Sequence, residues 1–183
     1  MPTKRQSAAG KGSPQPKASF RLPPQTRPLN YQVHIAPNLE AGTFSGSANI
    51  ELALGEPTDR IYLHAVDLEL RHTVLRAGRN QFDVQVVAKP KDEVLEIRLP
   101  RRFPAGKARL LFDFDGVLQK SLRGFYGAAS EGRRYAFTQL EATDARRFFP
   151  CFDEPSFKAR FTFAVTTEAQ NAVISNSPIE REE

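Results

Sequence analysis

Apolar and polar residues alternate along most of the chain, and turn-forming residues separate the alternating stretches. Residues 43–54 show this best, because Phe44, Ile50 and Leu54 share one parity while the serines, Asn49 and Glu51 occupy the other. Successive side chains of a strand point to opposite faces, so this period of two predicts a strand with one solvated face. Similar patterns predict strands at 29–35, 61–65, 66–75, 82–86, 94–99, 107–114, 122–127, 134–138, 159–165 and 172–176.

The spacing of these stretches predicts the fold class. Turn signals recur roughly every eight to twelve residues, and no stretch has a convincing helical period. We therefore expect an all-β fold of antiparallel sheets, saddle-shaped or sandwich-like, with loops at 89–92 and 100–106. The absence of an internal repeat argues against a propeller or a β-solenoid.

Composition divides the chain into three parts. Residues 1–26 are rich in Pro, Lys, Ser, Gln and Gly and contain few apolar side chains, which predicts a disordered basic leader. Residues 27–180 are predicted to form one β domain, long enough to enclose a sizeable core. Residues 181–183 are predicted to begin a connection to a domain that is absent from this chain.

The net charge of +5 does not predict a nucleic-acid-binding domain. Residues 1–28 hold six of the 26 basic residues and no acidic residue, so 20 basic face 21 acidic residues in the remainder. No apolar run approaches the roughly 20 residues that span a bilayer, so we expect no membrane partner. The N-terminus lacks the apolar core of a signal peptide, and Cys151 is the only cysteine. These features predict a cytoplasmic protein.

Residues 138–155 interrupt the strand pattern and concentrate carboxylates, arginines and aromatic rings. Gln139 and Glu141 are predicted to lie on the same face at the end of a strand. An amide beside a carboxylate suits a small cationic or amide-bearing ligand. The alternative is that they pair with Arg146 or Arg147, or cap the turn, for which Thr143 is a candidate N-cap. The pattern alone leaves both interpretations open.

The rest of this segment is predicted to be structural. We expect an ion-pair network that holds the loop, formed by Asp144, Arg146, Arg147, Asp153 and Glu154. The apolar anchors of the loop are predicted to be Phe148, Phe149, Phe152 and Phe157. Cys151 is predicted to be a small buried side chain rather than a nucleophile.

No catalytic set or metal site is predicted from the residues of this chain. The three histidines, His34, His64 and His72, lie in strand-like segments without the spacing of zinc ligands. No glycine-rich phosphate loop and no Gly-x-Ser-x-Gly nucleophile turn occurs. The chain therefore offers groups for binding rather than a catalytic centre.

The interrupting segment resembles a known family signature. Residues 138–147 (TQLEATDARR), 149–155 (FPCFDEP) and 157–159 (FKA) are similar to the N-terminal domain of zinc aminopeptidases such as aminopeptidase N and puromycin-sensitive aminopeptidase. Residues 29–31, 44–46, 124–126 and 175–176 match further pieces of that domain, and the resemblance covers about 27–180.

The resemblance implies a saddle-shaped β domain that covers the active site of a thermolysin-like catalytic domain. In that family, the residue matching Glu141 helps to bind the free α-amine of a peptide, and the residue matching Gln139 lines the pocket for the first side chain. Zinc, its ligands and the general base belong to the following domain of the full-length relative. None of these motifs occurs here, since the only methionine, Met1, rules out the family's Gly-x-Met-Glu-Asn loop.

Two hypotheses of different classes follow. The first is the N-terminal domain of a zinc-dependent aminopeptidase, which binds the peptide N-terminus through Glu141 and Gln139 and is inactive alone. The second is a non-catalytic β-sandwich module for binding or interaction, in which the loop serves structure only.

Overall fold

The computed structural model describes residues 21–183 and contains eleven strands within them. Two single-turn 3₁₀ helices, Pro90–Asp92 and Ala145–Arg147, are the helical elements of the described residues. The strands are β1 Thr26–Asn38, β2 Thr43–Leu54, β3 Thr58–His64, β4 Leu68–Ala77, β5 Asn80–Asp83, β6 Gln85–Lys89, β7 Val94–Phe103, β8 Gly106–Val117, β9 Gly124–Ser130, β10 Arg133–Gln139 and β11 Arg160–Val165.

The strands form three sheets. The largest has six strands in the order β11-β1-β2-β8-β4-β5, the second has the order β3-β7-β6, and β9 and β10 form a hairpin. All pairs are antiparallel except β1 with β11, which run parallel with Tyr31 opposite Phe161. The all-β prediction is confirmed for the described residues.

One apolar core lies between the six-stranded and three-stranded sheets. Alternate residues of the central strands, such as Ile50 of β2 and Leu110 of β8, have no exposed surface. Ile61 and Ile97 reach the same cluster from the smaller sheet. Because side chains alternate along each strand, one face of each sheet packs into the common core, as the sequence pattern predicts.

Several predicted strands need correction. Residues 82–86 were expected to form one strand, but the chain leaves β5 at Asp83 and enters β6 of another sheet at Gln85. Residues 100–106 were expected to form a loop, whereas β7 continues to Phe103 and β8 begins at Gly106. Pro100 is tolerated because the pairing of β3 with β7 is irregular between the Arg60–Arg98 and Thr58–Phe103 pairs. Residues 172–176 form no strand because they have no pairing partner among the described residues.

The folded part includes residues that the composition assigned to the leader. Leu22 is buried in the core, its backbone N–H donates to Glu154 Oε1 at 2.5 Å, and β1 already begins at Thr26. The prediction for residues 1–20 lies outside the described residues. Within residues 21–183, no helix is long and apolar enough to cross a membrane.

Candidate functional site

The candidate site begins where β10 ends and continues through a loop that returns to β11. β10 ends at Gln139, and the Asp144 N–H then donates to the Leu140 carbonyl at 3.0 Å. The Arg147 and Phe148 N–H groups donate to the carbonyls of Asp144 and Ala145, which forms the short 3₁₀ helix. This compact path turns the arginine side chains toward the body of the domain.

Arg146 lies at the centre of the ion pairs that fix the loop. Its side chain is 9% exposed, with Nε at 2.9 Å from Asp153 Oδ2 and Nη1 at 2.8 Å from Glu93 Oε2. Its Nη2 also donates to the Asp153 carbonyl at 3.3 Å. A guanidinium presents donors in a planar fork, so Arg146 joins both halves of the loop to the segment that precedes β7.

Asp144 and Arg147 form a second group of ion pairs beside the first. Asp144 accepts hydrogen bonds from Arg123 Nε at 3.1 Å and Nη2 at 2.9 Å, and from Arg147 Nε at 3.1 Å. These bonds, with those from Arg123 contributing most, lower the pKa of Asp144. Arg147 also reaches Asp67 Oδ2 at 2.5 Å and Glu93 Oε1 at 3.5 Å. Both arginines of the motif are thus neutralised by surrounding carboxylates.

Aromatic rings attach the underside of the loop to the core. Phe148 packs against Phe125 of β9 with ring centres 4.7 Å apart, and Phe149 meets Tyr31 edge-on at 6.0 Å. Phe152 is also buried, and its ring centre lies 5.4 Å from that of the half-buried Phe157. The four aromatic anchors predicted from the sequence are therefore confirmed.

Cys151 belongs to the interior and not to a reactive centre. Its backbone exchanges two hydrogen bonds with His64, and burial raises the pKa of its thiol well above the ordinary value. His64 Nδ1 accepts a hydrogen bond from the Asp153 N–H at 3.2 Å. Burial, aided by the nearby Arg146 guanidinium, lowers the pKa of His64 to about 4 despite the opposing carboxylates of Asp153, Glu154 and Glu93.

Gln139 and Glu141 lie together on the exposed rim of this braced loop. The Glu141 N–H donates to Gln139 Oε1 at 3.3 Å, and the peptide bond from Glu141 to Ala142 is cis. Both side chains are exposed. In the described part of the chain, the Glu141 carboxylate has no hydrogen bond or ion pair. Neither Arg146 nor Arg147 reaches it, which removes the alternative in which Glu141 pairs with an arginine of its own loop.

Three details of the sequence prediction are corrected. β10 ends at Gln139, so Glu141 does not share a strand face with it and the two are connected by a local hydrogen bond instead. Asp144, rather than Thr143, occupies the N-cap of the 3₁₀ helix, and it makes no side-chain cap bond. Glu154 lies outside the network because it accepts the hydrogen bond from Leu22 and pairs with Arg21 at 3.4 Å.

Three members of the network were not identified from the sequence. Asp67, Glu93 and Arg123 lie 21 to 80 residues from the arginine or aspartate that each contacts. Asp67 and Glu93 adopt positive φ values of 56° and 57°, which non-glycine residues rarely do. Such a conformation is not encoded by a hydrophobic pattern, so only the folded chain reveals these partners.

The histidines do not assemble into a metal centre. His34 lies in β1 and its Nε2 is 2.8 Å from Thr166 Oγ1, His64 is buried in β3, and His72 lies in β4. Across residues 21–183, no group of three His, Cys, Asp or Glu side chains could hold a metal ion. The family resemblance places zinc and its ligands in the following domain, so no zinc-dependent role is assigned to the described residues.

Comparison with known proteins identifies the domain. The family model described as the peptidase M1 N-terminal domain matches residues 27–183. The chain belongs to this family.

Curated relatives of the domain are aminopeptidases of much greater length. The chain is 37% identical to aminopeptidase M1-B of Oryza sativa subsp. japonica over 170 residues, which cover 91% of this chain and 19% of that protein. It is 34% identical to endoplasmic reticulum aminopeptidase 1 of Homo sapiens over 178 residues, covering 92% of the chain and 19% of that protein. It is 36% identical to the puromycin-sensitive aminopeptidase of Caenorhabditis elegans over 168 residues, which cover 87% of this chain and 18% of that protein. The M1 N-terminal domain described here thus spans about a fifth of the length of these relatives.

Proposed function

We propose that this domain recognises the free N-terminus of a peptide substrate for an M1 aminopeptidase, with Glu141 binding the α-ammonium group and Gln139 contacting the first residue. The observation that carries the proposal is the Glu141 carboxylate, which has no partner among residues 21–183 and lies on the rim of a loop held by ion pairs. A carboxylate binds an ammonium through charge-assisted hydrogen bonds, and this selects the terminal residue over internal ones.

The surrounding ion pairs support this role. Arg146 and Arg147 are saturated by Asp153, Glu93, Asp67 and Asp144, so neither competes with a ligand for Glu141. The same bonds hold the loop in one position before a peptide arrives. A preorganised carboxylate loses less conformational entropy on binding than a mobile one.

Hydrolysis is assigned to a catalytic domain outside this chain, and the domain alone is proposed to be inactive. The described residues hold binding groups but no set of side chains arranged for nucleophilic or metal-assisted attack on a peptide bond. We derive no metal-dependent step from them. The proposed partners are therefore a peptide N-terminus and a thermolysin-like catalytic domain, with no nucleic acid or membrane.

We also propose a cytoplasmic location. It rests on the single, buried and unreactive cysteine, which suits a reducing compartment. The names of the relatives do not favour one compartment, since two of the proteins matched are endoplasmic reticulum aminopeptidases of Homo sapiens.

Two enzymatic measurements test the proposed function. The purified chain, with or without added zinc, is expected to show no turnover of amino-acid anilides, and robust turnover would refute its inactivity. In a protein that joins this domain to an M1 catalytic domain, Glu141→Gln is expected to raise KM and to lower kcat/KM by about tenfold or more.

A matched variant separates this effect from a general change in charge. Glu131→Gln removes an exposed carboxylate from the tight turn of the β9–β10 hairpin that leads into this loop, and is expected to leave both constants unchanged. Unchanged constants in Glu141→Gln would instead favour the non-catalytic binding module.

A further inference from the structure

The outer face of the six-stranded sheet, opposite the core, carries a groove of about 510 Å³. This volume lies in the range of small-molecule sites. The groove crosses all six strands, since its lining runs from Thr162 of β11 to Gln81 of β5. None of the described residues that line it belongs to the loop with Glu141. We call this separate feature the outer groove.

Strand pairing places two rows of side chains next to each other in the outer groove. Both rows cross β1, β2, β8 and β4, and neighbouring strands lie roughly 4.8 Å apart. The first row is polar and consists of His34, Ser47, Asp113 and His72. The second row changes from polar to apolar and consists of Gln32, Asn49, Leu111 and Val74.

The apolar end of the second row gives the outer groove a floor. Val74 is 2% exposed but does not belong to the core cluster between the sheets, so side chains of the outer face cover it. Leu111 lies beside it and is half-buried. Arg76 and Gln81 line the end of the groove, where Arg76 Nε donates to Gln81 Oε1 at 2.9 Å. An apolar floor with polar groups around it is the usual composition of a ligand site.

Several polar groups of the outer groove have no partner within residues 21–183. Asn49 Nδ2 donates to Gln32 Oε1 at 2.9 Å, but Asn49 Oδ1 is buried and accepts no hydrogen bond. Buried acceptors are nearly always paired, so this oxygen requires a donor from outside these residues. The other lining side chains without a hydrogen bond or ion pair in the described part are Ser47, His72, Asp113 and Thr162.

These features favour an uncharged ligand that is rich in hydroxyl groups. The described lining carries one positive and one negative side chain, Arg76 and Asp113, with histidine counted as neutral at pH 7. An anion therefore finds no excess of positive charge. A hydroxyl group both donates and accepts, so it pairs with amides, imidazoles and carboxylates alike. A sugar ring adds an apolar C–H face, and a chain of sugars repeats both features along its length.

We propose that the outer groove binds a short neutral oligosaccharide that lies across the strands. A ring face packs on Val74 and Leu111, and hydroxyl groups bond to Asn49 Oδ1 and to Ser47. This inference goes beyond the proposed function, because none of these groups takes part in binding a peptide N-terminus.

Titration of the 183-residue chain with maltotriose, cellotriose and chitotriose, followed by backbone amide NMR shifts, tests this inference. At least one trisaccharide is expected to shift the amides of Ser47, Asn49 and Leu111. Asn49→Ala removes the unpartnered acceptor and is expected to weaken binding by about tenfold. Ser47→Leu places a larger side chain in the groove and is expected to weaken binding at least as much.

Ser45→Leu is the matched control, because Ser45 lies two residues earlier on the same face of β2 and does not line the groove. It is expected to leave binding unchanged, and dispersed spectra show that each variant is folded. Glu141→Gln is also expected to bind the saccharide normally, so this inference and the proposed function are tested separately.

Four results would each refute the oligosaccharide site. The first is that none of the trisaccharides shifts the amides of the outer groove. The second is that Ser47→Leu weakens binding no more than Ser45→Leu. The third is that glycerol, which has hydroxyl groups but no ring, gives equal shifts. The fourth is that inorganic phosphate shifts these amides more strongly than any trisaccharide, which would make the groove an anion site.

Discussion

Replacing Arg146 is expected to destabilise the domain strongly, because this side chain neutralises a nearly buried carboxylate. In Arg146→Met the new side chain has a similar volume, but the hydrogen bonds from Nε and Nη2 to Asp153 and from Nη1 to Glu93 are lost. The Asp153 side chain is only 11% exposed and would retain just the Arg146 N–H at 3.3 Å. Glu93 is 38% exposed and keeps its contact with Arg147, so its share of the cost is small.

The expected loss in the free energy of unfolding follows from the exposed fractions of the Asp153 and Glu93 side chains. Breaking a fully buried ion pair costs about 3–5 kcal/mol, and an exposed pair contributes less than about 1 kcal/mol. We therefore expect Arg146→Met to lower the free energy of unfolding by about 3 kcal/mol, measured by urea denaturation with circular dichroism. Arg134→Met, which removes an exposed ion pair with Glu40, is the matched control and is expected to cost less than about 1 kcal/mol.

A second substitution tests whether the unpaired Asp153 carboxylate causes the loss of stability. Adding Asp153→Asn to Arg146→Met removes the uncompensated carboxylate, so the double variant is expected to be more stable than Arg146→Met alone. The reasoning is refuted if Arg146→Met costs no more than the Arg134 control, or if the second substitution lowers stability further.

Three further predictions concern pH, packing and reactivity. The folded-state pKa of His64 is about 4 against an ordinary 6.5, so as pH falls His64 binds a proton in the unfolded state before it does in the folded state. The contribution of His64 to stability should fall by about 2.5 kcal/mol as pH drops from 6.5 to 4, and His64→Gln should flatten that slope in urea titrations. Gly124→Ala is expected to destabilise more than Gly132→Ala, because both have positive φ but a Cβ at Gly124 would lie 2.7 Å from Arg147 Cβ and one at Gly132 meets nothing within 4 Å. Equal losses in thermal unfolding would refute this crowding. The Cys151 thiol should react with a thiol reagent only at the rate of unfolding, and immediate reaction in the native state would contradict its burial.

Strand alternation predicts this fold well where one face is buried and the other solvated. β2 and β8 show the pattern clearly because they lie in the centre of the large sheet with one face against the core. The pattern fails at residues 82–86, since alternation continues while the chain passes from one sheet to another. It also gives no sign of the parallel pairing of β1 with β11, which joins residues about 130 positions apart.

The candidate site was partly predictable for a similar reason. The arginines, carboxylates and phenylalanines of the loop are adjacent in sequence, and their network and anchors were expected. Its distant partners, Asp67, Glu93 and Arg123, depend on tertiary contacts that no local pattern encodes.

The most direct test of the central claim measures the coupling between Glu141 and the α-ammonium group of a ligand. Leucinamide and its α-hydroxy analogue would be titrated by NMR against the wild-type chain and Glu141→Gln, which completes a double-mutant cycle. We predict that the wild type prefers the amine by about 1.5 kcal/mol, roughly tenfold, as for a charge-assisted hydrogen bond, and that the variant shows no preference. An equal preference in both proteins would show that Glu141 does not bind the amine and would contradict the account.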